Sequence, residues 1–253
     1  MKTITIGILE TGLPPEEYRQ QHGSYPDMFS QLLANSDKHL KFQYFHVLDD
    51  DIPTAPTQCD AWLITGSKFG VYEDHSWIPK LETLIQQAFA QDIPVVGICF
   101  GHQLVAQALG GKVIKSDKGW SLGVNEYQID ATPSWMNSSS DSAQTTNPSS
   151  FSIQAYHQDQ VVQLPADTQV LASSDFCPFA ALNFNNRAIS FQGHPEFAAD
   201  YTKKLLTNRR DLKLLPYELS SKAIDEIENP IQRQLVADWI CNFLRFKLSD
   251  NNA

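Results

Sequence analysis

Two hydrophobic periods alternate through the first half of this chain. Short apolar runs at Ile4 to Leu9, Phe42 to Leu48, Ala61 to Thr65, Pro94 to Ile98 and Lys112 to Lys115 read as strands. Between them, apolar residues spaced three and four apart predict helices over Pro26 to Ala34, Trp77 to Ala90 and His102 to Leu109. In the second of these, Ile78, Leu81, Leu84, Ile85, Ala88 and Phe89 form one apolar face. This alternation predicts an α/β fold: a mostly parallel sheet flanked by helices on both sides.

After Gly123 the rhythm changes. Val124 to Ile129, Ser152 to Tyr156, Gln169 to Ala172, Ala180 to Phe184 and Ala188 to Gln192 read as short strands separated by turns, so antiparallel strands are expected to extend the sheet in the second half. Residues 132–150 are rich in Ser, Thr, Asn, Asp and Pro and predict an exposed polar loop, with Trp135 and Met136 anchoring it. Strand patterns resume beyond that loop, so residues 1–253 are expected to form a single domain. A helical tail over residues 198–253 would pack on it. Asn229 and Pro230 supply a plausible N-cap and first helical residue for the last helix, whose core face is Ile231, Leu235, Val236, Trp239, Ile240, Phe243 and Leu244.

Composition narrows the function classes. A formal charge of -10 with a pI near 5.1 speaks against a nucleic-acid surface. No apolar run approaches membrane-spanning length and the N-terminus lacks a signal-peptide pattern, so no membrane role and a cytoplasmic location are expected. The four cysteines, Cys59, Cys99, Cys177 and Cys241, are widely separated without a C-x-x-C pair, which predicts neither a metal site nor a disulfide framework. No phosphate-binding G-x-x-x-x-G-K-[ST] occurs, and Gly110-Gly111-Lys112 fits a helix stop leading into a strand; no cofactor is expected.

The candidate chemistry lies at Gly97-Ile98-Cys99-Phe100-Gly101-His102-Gln103. A strand-like run gives way here to a helix-like one, with Cys99 between two glycines as G-x-C-x-G, the thiol counterpart of the G-x-S-x-G elbow. Such a cysteine sits at a helix N-terminus, where unpaired N–H groups and the helix dipole favour a thiolate. Buried cysteine more often packs than reacts, so partners are needed. His102, on the same helix, would point along the axis rather than at the thiol. His194 is a stronger candidate: it follows a strand, and Glu196 lies two positions on with Pro195 between them keeping the backbone extended, so the carboxylate can reach the imidazole. Cys99, His194 and Glu196 then have the nucleophile, base and orienter arrangement.

These motifs, with Leu63-Ile64-Thr65-Gly66-Ser67, Leu109-Gly110-Gly111 and Tyr156-His157-Gln158-Asp159-Gln160-Val161, resemble the class I glutamine amidotransferases, most of all the amidotransferase domain of GMP synthase. The resemblance covers nearly the whole chain. It implies an α/β sandwich with the cysteine on a nucleophile elbow, Cys99 as nucleophile, His194 as general base and acid, and Glu196 as its orienting partner. It further implies an oxyanion hole from the N–H groups of Gly66 and Phe100, a substrate contact at Gln103, and a site for the γ-glutamyl backbone groups around Tyr156, Gln158 and Asp159. The family's Gly-Gly-Pro stands here as Thr65-Gly66-Ser67 and its Ser-His-Gly-Asp as Tyr156-His157-Gln158-Asp159. Both departures are similar to the plant γ-glutamyl peptidases. Three functions follow as expectations: hydrolysis of a γ-glutamyl amide, ammonia delivery to a separate synthetase partner, or a retired enzyme serving as a binding or regulatory module.

Overall fold

The computed structural model describes residues 1–137 and 148–250. In chain order the elements are β1 (Ile4–Glu10), α1 (Glu16–His22), α2 (Tyr25–Ser36), β2 (Leu40–His46), β3 (Ala61–Ile64), α3 (Trp77–Ala90), β4 (Val95–Ile98), α4 (Phe100–Ala108) and β5 (Lys112–Lys115). There follow β6 (Ser121–Ile129), β7 (Ser150–His157), β8 (Asp159–Gln163), β9 (Thr168–Ser173), β10 (Ala181–Phe184), β11 (Ala188–Phe191), α5 (Ala199–Asp211), α6 (Tyr217–Asp225) and α7 (Arg233–Asp250).

Among the described residues one nine-stranded sheet runs β2-β1-β3-β4-β11-β10-β9-β6-β7. The strands from β2 to β11 are parallel, and those from β10 to β7 extend them antiparallel. The parallel strands β1, β3, β4 and β11 are nearly continuous apolar runs because both their faces are covered, whereas the edge strand β2 leaves Lys41, Gln43 and His46 exposed. Ile4, Ile6, Ile8, Leu63, Val96 and Ile98 pack into one layer with Phe29 and Leu33 of α2 and Val236, Ile240 and Phe243 of α7. The alternate residues Trp62, Ile64 and Val95 face the other way, toward Leu81 and Ile85 of α3 and Leu104 of α4. Each such side chain removed from water contributes about 1.5–3 kcal/mol. The order of β2, β1 and β3 reverses direction at β1, and in open α/β sheets ligands bind beyond the carboxyl ends of the strands near such a switch point.

Two sequence expectations are corrected, for β5 and for the start of the last helix. β5 does not join the large sheet; it pairs antiparallel with β8 in a two-stranded ribbon, where Val113 alone of its four residues is buried. β11 is buried at every position, since it lies between β4 and β10 with a layer on each face. The last helix starts at Arg233, not Pro230, because Gln232 is drawn to the β7 edge: its N–H donates to the Ser152 carbonyl at 2.7 Å and its side-chain oxygen accepts from the Ser152 N–H at 2.6 Å. Within the expected exposed loop, Ser134–Met136 form a 3-10 turn whose Trp135 and Met136 are buried. Trp135 meets the Phe243 ring edge-on at 5.4 Å, and the Trp239 indole N–H donates to the Met136 carbonyl at 3.1 Å. Residues 138–147 of that loop lie outside the described residues. Among the described residues no helix is long and apolar enough to cross a membrane.

Candidate active site

The adjacent parallel strands β3, β4 and β11 end at one edge of the sheet, and the residues just beyond each end converge. Beyond β3 lies Gly66, beyond β4 Cys99, and beyond β11 His194. The turn after β4 is tied to both neighbours: the Cys99 N–H donates to the Phe191 carbonyl at 2.9 Å, and the Gly101 N–H to the Thr65 carbonyl at 3.2 Å.

Cys99 is the N-cap of α4, with φ 53° and ψ -101°. This backbone conformation is sparsely populated for a residue with a side chain and costs on the order of 1–3 kcal/mol. It is enforced by the flanking glycines. A Cβ on Gly97 would lie 2.4 Å from the Gly101 carbonyl oxygen, and one on Gly101 would lie 2.4 Å from the Ile64 carbonyl oxygen. The G-x-C-x-G pattern therefore records strand and helix backbones in contact. The Phe100 N–H, at the first helical position, has no acceptor within its own helix by construction.

His194 is held from four directions. Its N–H donates to the Gln154 carbonyl at 2.7 Å, its ring stacks on Phe197 with centroids 4.1 Å apart and planes within 7°, and Nδ1 lies 2.7 Å from Glu196 Oε1. The Pro195 and Glu196 carbonyls accept from Arg233 Nε and Nη2, both at 2.7 Å, which fixes the turn. Against the fourth side lies Gly66, where a Cβ would come 2.8 Å from His194 Cε1 and 3.6 Å from the Cys99 Cβ. Nδ1 is engaged by Glu196, so Nε2 is the nitrogen left for the thiol or a ligand. It makes no hydrogen bond of ordinary length, yet the Cys99 sulfur is close enough to act on the ring as a hydrogen-bond partner, and such contacts often tighten only when substrate is bound.

Electrostatics separate this histidine from its buried neighbours. Burial drives the imidazole of His102 down to about 3 and that of His157 down to about 4, so both are neutral. Burial opposes charge on His194 equally, but the Glu196 carboxylate and the Cys99 sulfur outweigh it and push the ring up to about 10. The other cysteines are held as thiols. Burial raises Cys59 to about 11 and Cys177 and Cys241 to about 12.

Cys99 and His194 line one cavity of about 500 Å³, and Gly66, Gln103, Tyr156, Gln158 and Asp159 line it too. Glu196 stands behind His194, with only 2% of its surface exposed. Two of the residues read as substrate contacts are already partly engaged. The Gln103 amide donates to the Asp159 carbonyl at 3.0 Å and to Gln192 Oε1 at 3.1 Å, leaving its own oxygen free to accept. The Asp159 carboxylate accepts from the Tyr72 hydroxyl at 3.0 Å. His102, buried completely, bonds Ser190 Oγ at 2.7 Å and ties α4 to β11. The cavity also gathers residues the motifs did not single out, among them Tyr25, Trp120 and Arg209. They come from separate helices and loops, with no local signal to join them.

Comparison with known proteins adds independent findings. The family model described as Glutamine amidotransferase class-I matches residues 25–211. A glutamine amidotransferase-like protein of Schizosaccharomyces pombe is 28% identical over 94% of this chain and 98% of its own. Gamma-glutamyl peptidase 3 of Arabidopsis thaliana is 27% identical over 91% of this chain and 92% of its own. A solved glutamine amidotransferase structure from Thermotoga maritima shares the fold with a TM-score of 0.73 at 17% identity, covering 96% of this chain and 99% of that one.

Proposed function

The chain belongs to the class I glutamine amidotransferase family, and from that premise we propose that it hydrolyses a γ-glutamyl amide bond through a thioester on Cys99. The observation that carries this reading is the convergence of Cys99, His194 and Gly66 beyond three neighbouring strand ends on one cavity. The Cys99 thiolate attacks the γ-carbonyl carbon, and the oxygen of the tetrahedral intermediate takes hydrogen bonds from the N–H groups of Gly66 and Phe100. As the C–N bond breaks, His194 gives its proton to the departing amine and becomes neutral. Water then attacks the thioester, His194 takes the water proton, and glutamate leaves as the Cys99 thiolate and the protonated ring are restored. Glu196 holds the ring with Nε2 toward the reaction and stabilises its positive form. Gln103, Gln158 and Asp159 hold the α-amino and α-carboxylate ends of the γ-glutamyl group.

Purified protein alone is expected to release equal amounts of glutamate and free amine from γ-glutamyl dipeptides, and nothing from their α-linked isomers. Amino-acid analysis of the reaction mixture reads both products. A protein silent on every γ-glutamyl amide, glutamine included, would sink the hydrolase reading; activity appearing only on adding a synthetase would replace it with the ammonia-delivering subunit.

A further inference from the structure

We propose that Arg209 selects the substrate by binding a carboxylate on the departing amine, so that γ-linked amino acids and peptides are preferred over amides without that charge. This rests on the hydrolase reading above and adds the class of leaving group.

The first observation is an arginine without a partner. Arg187 and Arg245 form ion pairs, Arg210 bonds Asp211 and Ser221, Arg233 bonds two carbonyls, and Arg19 bonds the Pro14 carbonyl. Arg209 alone among the described arginines has no side-chain hydrogen bond or ion pair, yet it is half-buried in the cavity wall. A guanidinium in a cavity wall with its donors unused is well suited to a planar, bidentate anion. The other cavity cations are otherwise placed: Lys68 lies over the Phe69 ring at 5.1 Å, and Lys115 acts on the Asp159 carboxylate.

The second observation is where that arginine sits. Arg209, Tyr156 and Cys99 line the same cavity. Arg209 shares its cavity with the reacting sulfur and reaches it from α5 together with Leu205, whereas Gln103 reaches it from α4 and Asp159 from β8. The cavity is lined to hold a body larger than ammonia: Trp120 and Tyr156 form an aromatic pair with centroids 5.5 Å apart, and Leu13, Leu205 and Leu214 line the same space. A cavity of about 500 Å³ lies in the range of drug-sized ligands, well beyond the needs of glutamine. A chain with a net charge of -10 repels an anionic substrate at long range, so a local cation is needed to retain one.

The test compares two substrates that differ only in this charge, γ-glutamylglycine and γ-glutamylglycinamide, in the unmodified protein and in Arg209→Ala and Arg209→Lys. A charge-assisted hydrogen-bonded pair predicts that the unmodified protein favours the acid over the amide by roughly 10- to 100-fold in kcat/KM. In Arg209→Ala this ratio falls to about one, carried by a rise in KM for the acid, and Arg209→Lys restores part of it. A ratio unchanged by both variants, or a ratio near one in the unmodified protein, overturns the role of Arg209 while hydrolysis of either compound leaves the hydrolase reading standing. Failure to cleave any γ-glutamyl amide overturns that reading instead.

Discussion

Cys99→Ala is expected to lower kcat/KM for every γ-glutamyl amide by at least about 10⁴-fold, with the folded structure retained. When nucleophile and base act as a unit, removing the nucleophile costs about as much as removing the whole constellation. No other thiol can take its place. Burial holds Cys59 at about 11 and Cys177 and Cys241 at about 12, which leaves them protonated near neutral pH. The variant keeps the Cβ and so inherits the same positive φ of 53°; the loss of one sulfur from a site opening onto the cavity is expected to change stability by no more than about 1 kcal/mol. Steady-state assay and thermal unfolding on one preparation separate the two effects. An active alanine variant would mean that the reaction does not run through this residue.

Glu196→Gln is expected to reduce kcat by about 10²–10⁴-fold and to move the alkaline limb of the pH profile. A glutamine amide can donate to His194 Nδ1, which would place the ring proton on Nε2 of the neutral form and leave that nitrogen unable to accept a proton. The shift in pH dependence has a definite sign. In the unmodified protein burial disfavours the charged ring, yet the carboxylate and the sulfur hold its proton up to about 10. Without the carboxylate the burial effect gains ground, as it already prevails at His102 and His157. His194 then loses its proton at lower pH, and the alkaline fall in kcat/KM is expected to begin at least about one pH unit earlier. A kcat/KM profile with its alkaline limb in the unmodified position would show that the 2.7 Å contact between His194 and Glu196 has no part in the reaction.

Much of this architecture is written in short-range pattern. Of the five parallel strands, β3, β4 and β11 are legible because they are buried at every position and so read as apolar runs, β1 nearly so, and the edge strand β2 by its alternation of half-buried and exposed residues; α3 is legible because its buried residues recur at helical spacing. α1 is not legible: none of its residues is buried, so it carries no apolar period. β8 escapes notice because a single residue, Gln158, separates it from β7, and Asp159 reads as motif rather than as a strand start. The placement of β5 beside β8 depends on a partner about fifty residues away, which four residues of pattern cannot specify. At the site, G-x-C-x-G marks a real backbone approach, and the i, i+2 spacing of His194 and Glu196 is the spacing their contact uses. Arg209 is different in kind. It lies in the last turn of α5, where a basic residue suits the helix dipole regardless of any cavity, so only the fold reveals the wall it faces.

The central proposal is a covalent γ-glutamyl thioester on Cys99, and acid-quenched mass spectrometry during turnover tests it most directly. Mixing the protein with excess γ-glutamyl dipeptide, quenching within the first turnovers and digesting is expected to place one γ-glutamyl acyl group on the peptide that carries Cys99, removable by neutral hydroxylamine. Amine release with no acyl group on that peptide, or with the group on Cys59, Cys177 or Cys241, would contradict it.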